Sequence, residues 1–392
     1  MRLLSITTQN YRTLQDLTLR FSPNYCTISG QNNAGKSCVI RLLSALFGGS
    51  DRPPWLSTAL DYAEDRTQWV PTSAPINVIY ELLVTKEDDP ALVSFIEKIA
   101  SQTITRPSVT LSISYSLTTN SIDDDGNLLA SVTIDTKPVD AKAAKEIEKR
   151  LEDSNLLFLY NLTNSQDDFY LARGRPRMFY DFVMSVDEKK ALDIASKKIE
   201  AKLRSLAKQR MQGLSGMLGR LADRYDVELS PPEGFSTRRM PLGINLRDRN
   251  VKVPINDWGS GTQNRTYILM ALLQAYRIKT TGTQDQKITP FVVIEEPESF
   301  LHPSGQAEFG RLLRHLAGEL GLQIIVTTHS PYMLNQEEPA ANVLLARETK
   351  RNKVFQTVQV DTTGDNWMAP FADHLGIGIE EFAGLRPIFA SA

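Results

Sequence analysis

Short apolar or alternating runs mark the first part of the chain, and a helical pattern follows them. The runs predict strands at Leu3–Thr7, Leu17–Phe21, Tyr25–Ser29 and Ile76–Thr85. From Gly35 onward the apolar residues fall on one helical face, and a glycine pair at positions 48 and 49 closes this pattern. The order strand, glycine turn and helix is therefore predicted near the start of the chain.

The same two patterns alternate again towards the end of the chain. Strand-like sequence at Gly243–Ile255 is followed by a predicted helix at Arg265–Lys279. A strand at Pro290–Ile294, a helix at Ser304–Leu320 and a strand at Gln323–Thr327 come next. Buried strands that alternate with helices are typical of the α/β class.

The middle of the chain has a different pattern, with short strands and charged helices. Its predicted elements are a helix at Ala91–Ser101, strands at Val109–Leu117 and Leu129–Ile134, a charged helix at Ala141–Leu151, and a long basic helical pattern at Val186–Tyr225. The long pattern lacks sustained heptads, so a helical hairpin or stubby arm is expected rather than an extended coiled coil. We divide the chain into residues 1–86, an insert at residues 87–240, and residues 241–392.

Composition narrows the class of protein. The 392 residues include 44 Lys and Arg against 46 Asp and Glu, with 41% hydrophobic residues, which excludes collagen, fibrous coiled coils and disorder. Two cysteines are too few for a disulfide framework, and they favour a cytoplasmic address. We find no apolar run long enough for a membrane helix and expect no membrane partner. Because the net charge is −2, the surface as a whole does not attract polyanions, and a polyanion must bind at a locally basic site.

A phosphate-binding loop lies where the first helix begins. Residues 30–37 read GQNNAGKS and follow an apolar strand, which is the context that a P-loop requires. Glycines allow the backbone to wrap around phosphates, the lysine neutralises them, and the serine hydroxyl can ligate Mg²⁺. The candidate ATP ligands here are Gly30, Asn32, Asn33, Ala34, Gly35, Lys36, Ser37 and Cys38. The loop alone leaves kinases, GTPases, AAA+ machines and ABC-type ATPases open.

Two carboxylates and a histidine end the later apolar strands. Glu295 and Glu296 follow the run FVVI, and His329 follows the run QIIVTT. In P-loop ATPases the first acid holds Mg²⁺ and the second orients the attacking water. A histidine beside the acid-bearing strand can contact a γ-phosphate. We therefore predict Glu296 and His329 as catalytic residues.

A second glycine-rich turn precedes the helix at Arg265–Lys279. The sequence WGSGTQ supplies Gly259, Ser260, Gly261 and Gln263 where a helix is expected to begin. Helix N-termini bind anions through free backbone N–H groups. This turn is a candidate second phosphate site.

In this order, the motifs resemble those of the ABC-type ATPase heads of the SMC, RecF and OLD group. The sequence motif IEEPE, followed by LHP and TTHSP, is most similar to the motifs of the OLD-like ATPases of prokaryotes that lack a Toprim domain. The opening Asn10-Tyr11-Arg12 resembles an N-terminal motif whose arginine approaches nucleotide phosphates. The resemblance covers Met1–Thr85 and Gly243–Tyr332. It implies an ABC-type head, with a mixed sheet and flanking helices, interrupted by an α+β or helical-hairpin insert.

The resemblance also implies a dimer that uses ATP and Mg²⁺. Two heads would sandwich two nucleotides, so a homodimer or higher homo-oligomer is expected. Lys36 and Ser37 of one head would hold each ATP, and Ser260 and Gly261 of the other head would cap it. Arg12 would approach the phosphates. The implied metal ligands are Ser37, Glu295 and Gln68.

The same resemblance implies roles at the reacting end of the nucleotide. Glu296 would activate water, His329 would act as a switch, and Ser299–Pro303 would form the loop at the dimer seam. Full-length OLD-type proteins carry a Toprim nuclease, for which the sequence after Tyr332 has no matching acidic cluster. A separate protein effector, such as a Toprim nuclease, is therefore expected, in prokaryotic defence against phages.

Two alternatives to an ATPase that controls an effector remain open at this point. One is a DNA-repair ATPase of the RecF or SMC type, and the other is an ATP-gated scaffold that sequesters a partner with little turnover. Arg173, Arg175 and Arg177 lie among aromatic residues, and the pattern at Val186–Tyr225 is basic. These features predict a surface for nucleic acid or an acidic partner, although an ordinary solvated helix face explains them equally well.

Overall fold

The chain forms two compact units in a computed structural model. The structure describes residues 1–47, 60–101, 103–118, 130–152, 157–160, 194, 197–198, 201–202, 205, 212–221, 226–230, 243–248, 251–281, 288–350, 354–364 and 366–375. The first unit combines Met1–Tyr160 with Gln274–Ala392, and the second is Asn161–Leu273. These limits differ from the sequence-based limits after residues 86 and 240.

The strands and helices have the following bounds. The strands are β1 (Arg2–Tyr11), β2 (Leu14–Arg20), β3 (Tyr25–Gly30), β4 (Ile76–Thr85), β5 (Ser108–Leu117), β6 (Ala130–Ile134), β7 (Lys137–Pro138), β8 (Leu157–Tyr160), β9 (Asp226–Ser230), β10 (Gly243–Asp248), β11 (Val251–Pro254), β12 (Phe291–Glu295), β13 (Gln323–Thr328), β14 (Asn342–Lys350) and β15 (Val354–Val360). The helices are α1 (Lys36–Phe47), α2 (Tyr62–Asp65), α3 (Pro90–Ile99), α4 (Ala141–Glu152), α5 (Ser260–Thr281), α6 (Pro303–Leu320) and α7 (Met368–Leu375). Short 3-10 helices occupy Ile255–Asp257, Pro331–Met333 and Pro339–Ala341.

An antiparallel sheet forms one layer of the first unit. Its described strands follow the order β2-β1-β4-β5-β6-β7. Strand β4 buries every second residue, as its alternating sequence predicts. Strand β5 pairs directly with β4, and β6 pairs with β5, although both strands lie within the insert of the sequence-based division. The sheet of the first unit therefore extends past residue 86.

A largely parallel sheet carries the site. Its described strands follow the order β15-β14-β3-β13-β12-β8, and only the β14–β15 pair is antiparallel. Strands β3 and β13 are buried at every position because they are continuous runs without an exposed face. The predicted strands at residues 25–29, 290–294 and 323–327 are confirmed. Strands β14 and β15 are additions that the sequence-based prediction lacked.

Helix α1 packs between the two sheets of the first unit. The ring of Phe47 lies edge-on to Tyr80 of β4, with centroids 5.7 Å apart, and to Phe291 of β12, with centroids 5.0 Å apart. The Tyr80 hydroxyl donates to the Leu42 carbonyl at 2.8 Å. Edge-on aromatic pairs add about 0.5–1.5 kcal/mol each to the burial of their area. These contacts fix the helix that begins at the phosphate loop.

The second unit contains a small antiparallel sheet. Strand β10 pairs with β9 on one side and β11 on the other. Helix α5 begins in this unit at Ser260 and contains the boundary with the first unit. Most of the predicted arm at Val186–Tyr225 lies outside the described residues, as do Arg173, Arg175 and Arg177. No helix in the described part of the chain is long and apolar enough to cross a membrane.

Candidate functional site

The loop between β3 and α1 requires glycine at both of its ends. Gly30 has φ +153°, and a Cβ there would lie 2.3 Å from the Leu345 carbonyl oxygen of β14. Gly35 has φ +104°, and a Cβ there would lie 2.6 Å from the Thr357 hydroxyl of β15. Strands β14 and β15 thus press against the loop from outside the motif. The loop is held in the shape of a cradle by residues that the motif does not contain.

The cradle presents donors for an anion. Asn32 and Asn33 are exposed, and so is Ser37 in the first turn of α1. The first turn of α1 contains no acidic residue. Its free backbone N–H groups and the helix dipole therefore favour a negative ligand. This arrangement fits the phosphates of a nucleotide, as the sequence predicts.

Lys36 is buried beneath the loop. Its Nζ donates to the carbonyl oxygens of Gly30 at 2.8 Å and Gln31 at 3.0 Å. Burial lowers the pKa of Lys36 to about 8, although the charges of Glu296 and Glu298 oppose the shift. The ammonium therefore lacks a full counter-charge, and phosphate oxygens would supply one.

Glu296 and His329 meet at the ends of adjacent parallel strands. Glu296 directly follows β12, its backbone N–H donates to the Thr327 carbonyl at 2.9 Å, and its φ of +45° is left-handed. The Glu296 Oε1 atom lies 3.4 Å from the His329 Nε2 atom. This hydrogen bond is the main reason that the pKa of Glu296 is lowered, despite partial burial. The carboxylate is therefore ionised at neutral pH.

The carboxyl ends of β3, β12 and β13 place these groups together. The registers pair Glu295 with Thr327 and Ser29 with Thr328. In open α/β sheets, ligands bind outside the carboxyl ends of the strands. Lys36, Glu296 and His329 thus occupy one edge of the sheet, in the positions that the motifs predict.

Arg12 is tied to a carboxylate that the sequence analysis missed. Its Nε donates to Asp65 Oδ1 at 2.7 Å, and Arg41 Nε donates to the same atom at 3.2 Å. Asp65 is fully buried at the end of α2. The bond orients the Arg12 guanidinium, whose terminal nitrogens can donate to other acceptors. Nothing in the sequence around Asp65 signals this role, because the pairing depends on the fold.

Cys38 follows Ser37 in α1 and is partly buried. Burial raises the pKa of its thiol, so the thiol is protonated at neutral pH. Cys38 lies near the loop because it directly follows the last residue of the GQNNAGKS motif. Its predicted contact with nucleotide stays a prediction.

The predicted metal ligands differ in their surroundings. Ser37 and Glu295 flank the site and offer hard oxygen donors, the type that Mg²⁺ prefers. Gln68 lies between α2 and β4, is exposed, and directs its Nε2 to the Arg66 carbonyl at 3.5 Å. The described residues include no group of three or more His, Cys, Asp or Glu side chains that could hold a metal ion. Phosphate oxygens and water would have to complete the shell of a Mg²⁺ ion here.

The GSGTQ turn belongs to the second unit. Gly259 is exposed, and a Cβ there would meet nothing within 4 Å. The Gln263 Nε2 donates back to the Trp258 carbonyl at 2.6 Å, which braces the turn. Ser260 is the first residue of α5, whose first turn has no acidic residue. The turn is thus an exposed helix start, as expected for a second anion site.

Several curated relatives match part of the chain by sequence. It is 33% identical over 138 residues to the OLD nuclease of Thermus scotoductus, a match that covers 34% of this chain and 23% of the relative. The Old nuclease of Escherichia phage P2 is 30% identical over 32% of this chain and 21% of its own length. The Septu protein PtuA of Bacillus thuringiensis is 36% identical over 28% of each chain. The chain therefore matches about a quarter of the length of these relatives.

Solved structures show the same fold over most of the chain. The SMC head domain from Thermotoga maritima superposes with a TM-score of 0.50 at 14% identity, covering 92% of this chain and 100% of that one. An SMC head with an extended coiled coil, bound to the C-terminal domain of ScpA derived from Pyrococcus furiosus, gives a TM-score of 0.52 at 14% identity. It covers 92% of this chain and 96% of that one. The fold is that of an SMC-like ATPase head.

A family model supplies the remaining comparison. The model described as "AAA domain, putative AbiEii toxin, Type IV TA system" matches residues 27–335, which is more than half of the chain. The matched range begins in β3 and ends after the segment that contains His329, so it includes the loop and both catalytic candidates. The chain therefore belongs to this AAA family, and about a third of it is similar to OLD nucleases.

Proposed function

We propose that the chain binds ATP at the loop between β3 and α1 and hydrolyses it. The carrying observation is the 3.4 Å contact between Glu296 Oε1 and His329 Nε2, at the carboxyl ends of neighbouring strands. Strand β3, which leads into the loop, pairs directly with the strand that ends before His329. A carboxylate, a histidine and the loop that contains Lys36 therefore share one edge of the sheet, which supports this proposal.

The roles of the binding residues follow from their donors. Lys36 exchanges its two carbonyl acceptors for phosphate oxygens, which form stronger, charge-assisted hydrogen bonds. Ser37 and Glu295 would hold Mg²⁺, which neutralises charge on the phosphates when it is bound. The loop backbone between Gly30 and Gly35 supplies further N–H donors.

The low pKa of Glu296 defines its part in the reaction. Because the pKa of Glu296 is lowered from its ordinary value, its carboxylate is a weak proton acceptor. It therefore acts mainly by orienting and polarising the attacking water. His329 holds the Glu296 carboxylate in place through Nε2. We assign the positioning of water to Glu296 and the sensing of the γ-phosphate to His329.

We further propose that two copies of the chain share their nucleotides. Ser260 and Gly261 start an exposed helix, and the space beside Gly259 is open. These features support a site for the phosphates of a nucleotide that is bound to another copy. Two of the relatives described above are named nucleases, and this chain matches only a part of each. We therefore propose a separate effector, controlled by ATP, in defence against phages.

The test of hydrolysis uses purified full chain, a phosphate-release assay and a fluorescent ATP analogue. Lys36→Ala is expected to lose both binding and turnover. Glu296→Gln is expected to keep binding and to lower kcat by at least about 100-fold, a typical effect of removing such a catalytic group. Glu348→Gln, which changes an exposed carboxylate on β14, is the matched control. Full turnover by Glu296→Gln would contradict the assignment.

The effector is tested by co-purification with the product of the neighbouring reading frame. Binding that requires ATP, and that persists in the Glu296→Gln variant, is the expected result. If that variant keeps its full biological output, nucleotide binding alone drives signalling and the protein is an ATP-gated scaffold. If the neighbouring product binds equally with ADP and with ATP, the proposed control of an effector is wrong.

A further inference from the structure

We infer that Glu298 is a positioning residue that holds His329 at Glu296. Its carboxylate ties the loop after β12 to the end of β13, where the histidine lies. The inference rests on the proposed function, since its main consequence is a change in ATP turnover. It assigns a task to the third carboxylate of the EEPE segment, which is neither a predicted metal ligand nor a predicted base.

Glu298 is buried and bonded to the segment that carries the histidine. The residue is 9% exposed. Its Oε1 accepts from the Thr328 hydroxyl at 2.7 Å and from the His329 backbone N–H at 2.7 Å. Its other oxygen, Oε2, is buried without a hydrogen-bond partner among the residues that the structure describes. Burying a carboxylate in this way is costly, so the position is not explained by solvation of a loop.

The loop around Glu298 is wound tightly. Glu296 and Phe300, two residues on either side, have left-handed φ values of +45° and +65°. The Ser299 N–H donates to the Glu296 carbonyl, and the Leu301 N–H donates to the Glu298 carbonyl, both at 3.0 Å. Left-handed non-glycine residues persist where surrounding contacts over-determine them. The two bonds to Glu298 Oε1 are such contacts.

A second tie acts on the other side of the histidine. The Ser330 hydroxyl donates to Gln306 Oε1 at 2.7 Å, and Gln306 Nε2 donates to the Leu301 carbonyl at 2.9 Å. The backbone is therefore fixed before and after His329 by the same loop and the start of α6. The imidazole of His329 extends from this segment to Glu296, with its Nε2 atom 3.4 Å from Oε1. A shift of the loop would move both groups of the catalytic pair.

The kinetic test compares variants that keep or remove the acceptor. Glu298→Ala is expected to lower kcat by about 10- to 100-fold, because two hydrogen bonds of a charged acceptor are lost, while KM for ATP changes less than about twofold. Glu298→Gln is expected to stay within about threefold of wild type, because its amide oxygen accepts both bonds. Thr328→Val removes one bond to Glu298 and also the bond that the Thr328 hydroxyl accepts from the Ser330 N–H at 2.9 Å. Because it leaves the His329 N–H paired with Glu298, we expect a smaller loss of kcat than in Glu298→Ala.

A double-mutant cycle separates positioning from general structure. In a His329→Ala background, Glu298→Ala should lower kcat by less than about twofold, because residues that act as one unit are not additive. An equal loss in both backgrounds would show that Glu298 acts independently of His329 and would overturn the inference. Glu298→Met has a similar volume and no acceptor, and it serves in the same cycle if the alanine variant does not fold.

Hydrogen exchange gives a readout that needs no turnover. Without nucleotide, the His329 amide is expected to exchange faster in Glu298→Met than in Glu298→Gln, measured on peptides that cover residues 327–333. If wild type fails to hydrolyse ATP while this difference is present, the proposed function fails and the positioning contact stands. If exchange is the same in both variants, the contact does not hold the histidine and the inference is wrong.

Discussion

The protonation state of Lys36 makes the affinity of the loop for ATP depend on pH. Its pKa of about 8 in the protein reflects burial, and the approach of phosphates would favour the charged form. Below pH 8 the lysine is already protonated, so ATP binds without taking up a proton. Above pH 8 binding must protonate it. The affinity of the site is therefore coupled to proton uptake at one residue.

We expect the affinity for ATP to fall as pH rises through about 8. The limit is about tenfold per pH unit above the pKa of the free protein, because one proton is taken up on binding. Titrations with a fluorescent ATP analogue between pH 7 and pH 9.5, at constant ionic strength, measure this. Lys36→Arg keeps a permanent charge, so it should bind with a flat profile over the same range. A wild-type profile as flat as that of the arginine variant would contradict the prediction.

Asp65 is expected to matter for stability more than its neighbour Asp61. Asp65→Ala leaves Arg12 and Arg41 without their shared acceptor, and breaking such a buried pair costs about 3 kcal/mol. The Asp61 carboxylate accepts from the Glu64 backbone N–H at 2.8 Å as the N-cap of α2, and the loss of this cap costs about 1 kcal/mol. Urea unfolding of Asp65→Ala and Asp61→Ala compares the two. Equal free energies of unfolding would show that the Arg12 contact is unimportant.

At the scale of elements, the approach of helix α6 to the 3-10 helix Pro331–Met333 sets the position of the segment after His329. A Cβ at Gly310 would lie 2.5 Å from the Tyr332 carbonyl oxygen. Tyr25 of β3 donates to the Met333 carbonyl at 2.7 Å on the other side. The backbone after the histidine is therefore fixed between a helix and a strand. Glycine at position 310 is required by this close approach.

Two glycines of α6 should respond oppositely to alanine. Gly310→Ala must displace the Tyr332 backbone, so we expect a loss of about 1–3 kcal/mol of stability, as for other overpacked sites. At Gly318 a Cβ would meet nothing within 4 Å, so Gly318→Ala should stabilise by about 0.5–1 kcal/mol. Thermal unfolding of both variants checks the pair. Similar shifts in Tm for the two would refute the close approach.

Local patterns account for the strands and helices of the site better than for the contacts between them. The sequence predicts Glu296 and His329 because each follows a short strand with an apolar centre, FVVI or IIV, which places it at a strand end. Strand β15 is not predicted, because the apolar residues of VFQTVQV do not alternate regularly and its buried residues are Gln356 and Thr357. Its contact with Gly35 has no local signal, because Thr357 lies far along the chain. The same holds for Asp65, whose partners Arg12 and Arg41 are remote in sequence.

At the scale of the whole molecule, the proposed dimer divides each nucleotide site between two copies. Lys36 lies in the first unit and Ser260 in the second. A variant that lacks one half of the site can then be complemented by a variant that lacks the other. A chain that hydrolyses ATP alone cannot be rescued in this way.

We expect Lys36→Ala and Ser260→Arg to be inactive separately and to regain turnover when mixed. One site of each mixed dimer combines an intact loop with an intact GSGTQ turn, whereas each pure dimer has none. Phosphate release from the mixture, compared with the sum of the separate variants, measures the rescue. Ser116→Arg, at an exposed position on β5, replaces Ser260→Arg as a control. Activity of Ser260→Arg alone would exclude a shared site.

The position of β3 within its sheet constrains when the protein can mature during synthesis. This strand pairs with β13 at Tyr25–Ser29 and with β14 at Thr27–Gly30, so both of its neighbours are translated some 300 residues later. Pairings of such high contact order form slowly, and they cannot form at all while the later segments are inside the ribosome. A nascent chain with a complete GQNNAGKS sequence consequently has no sheet to shape it. Nucleotide binding can begin only after translation has passed β14, and until then β3 lacks both of its partner strands.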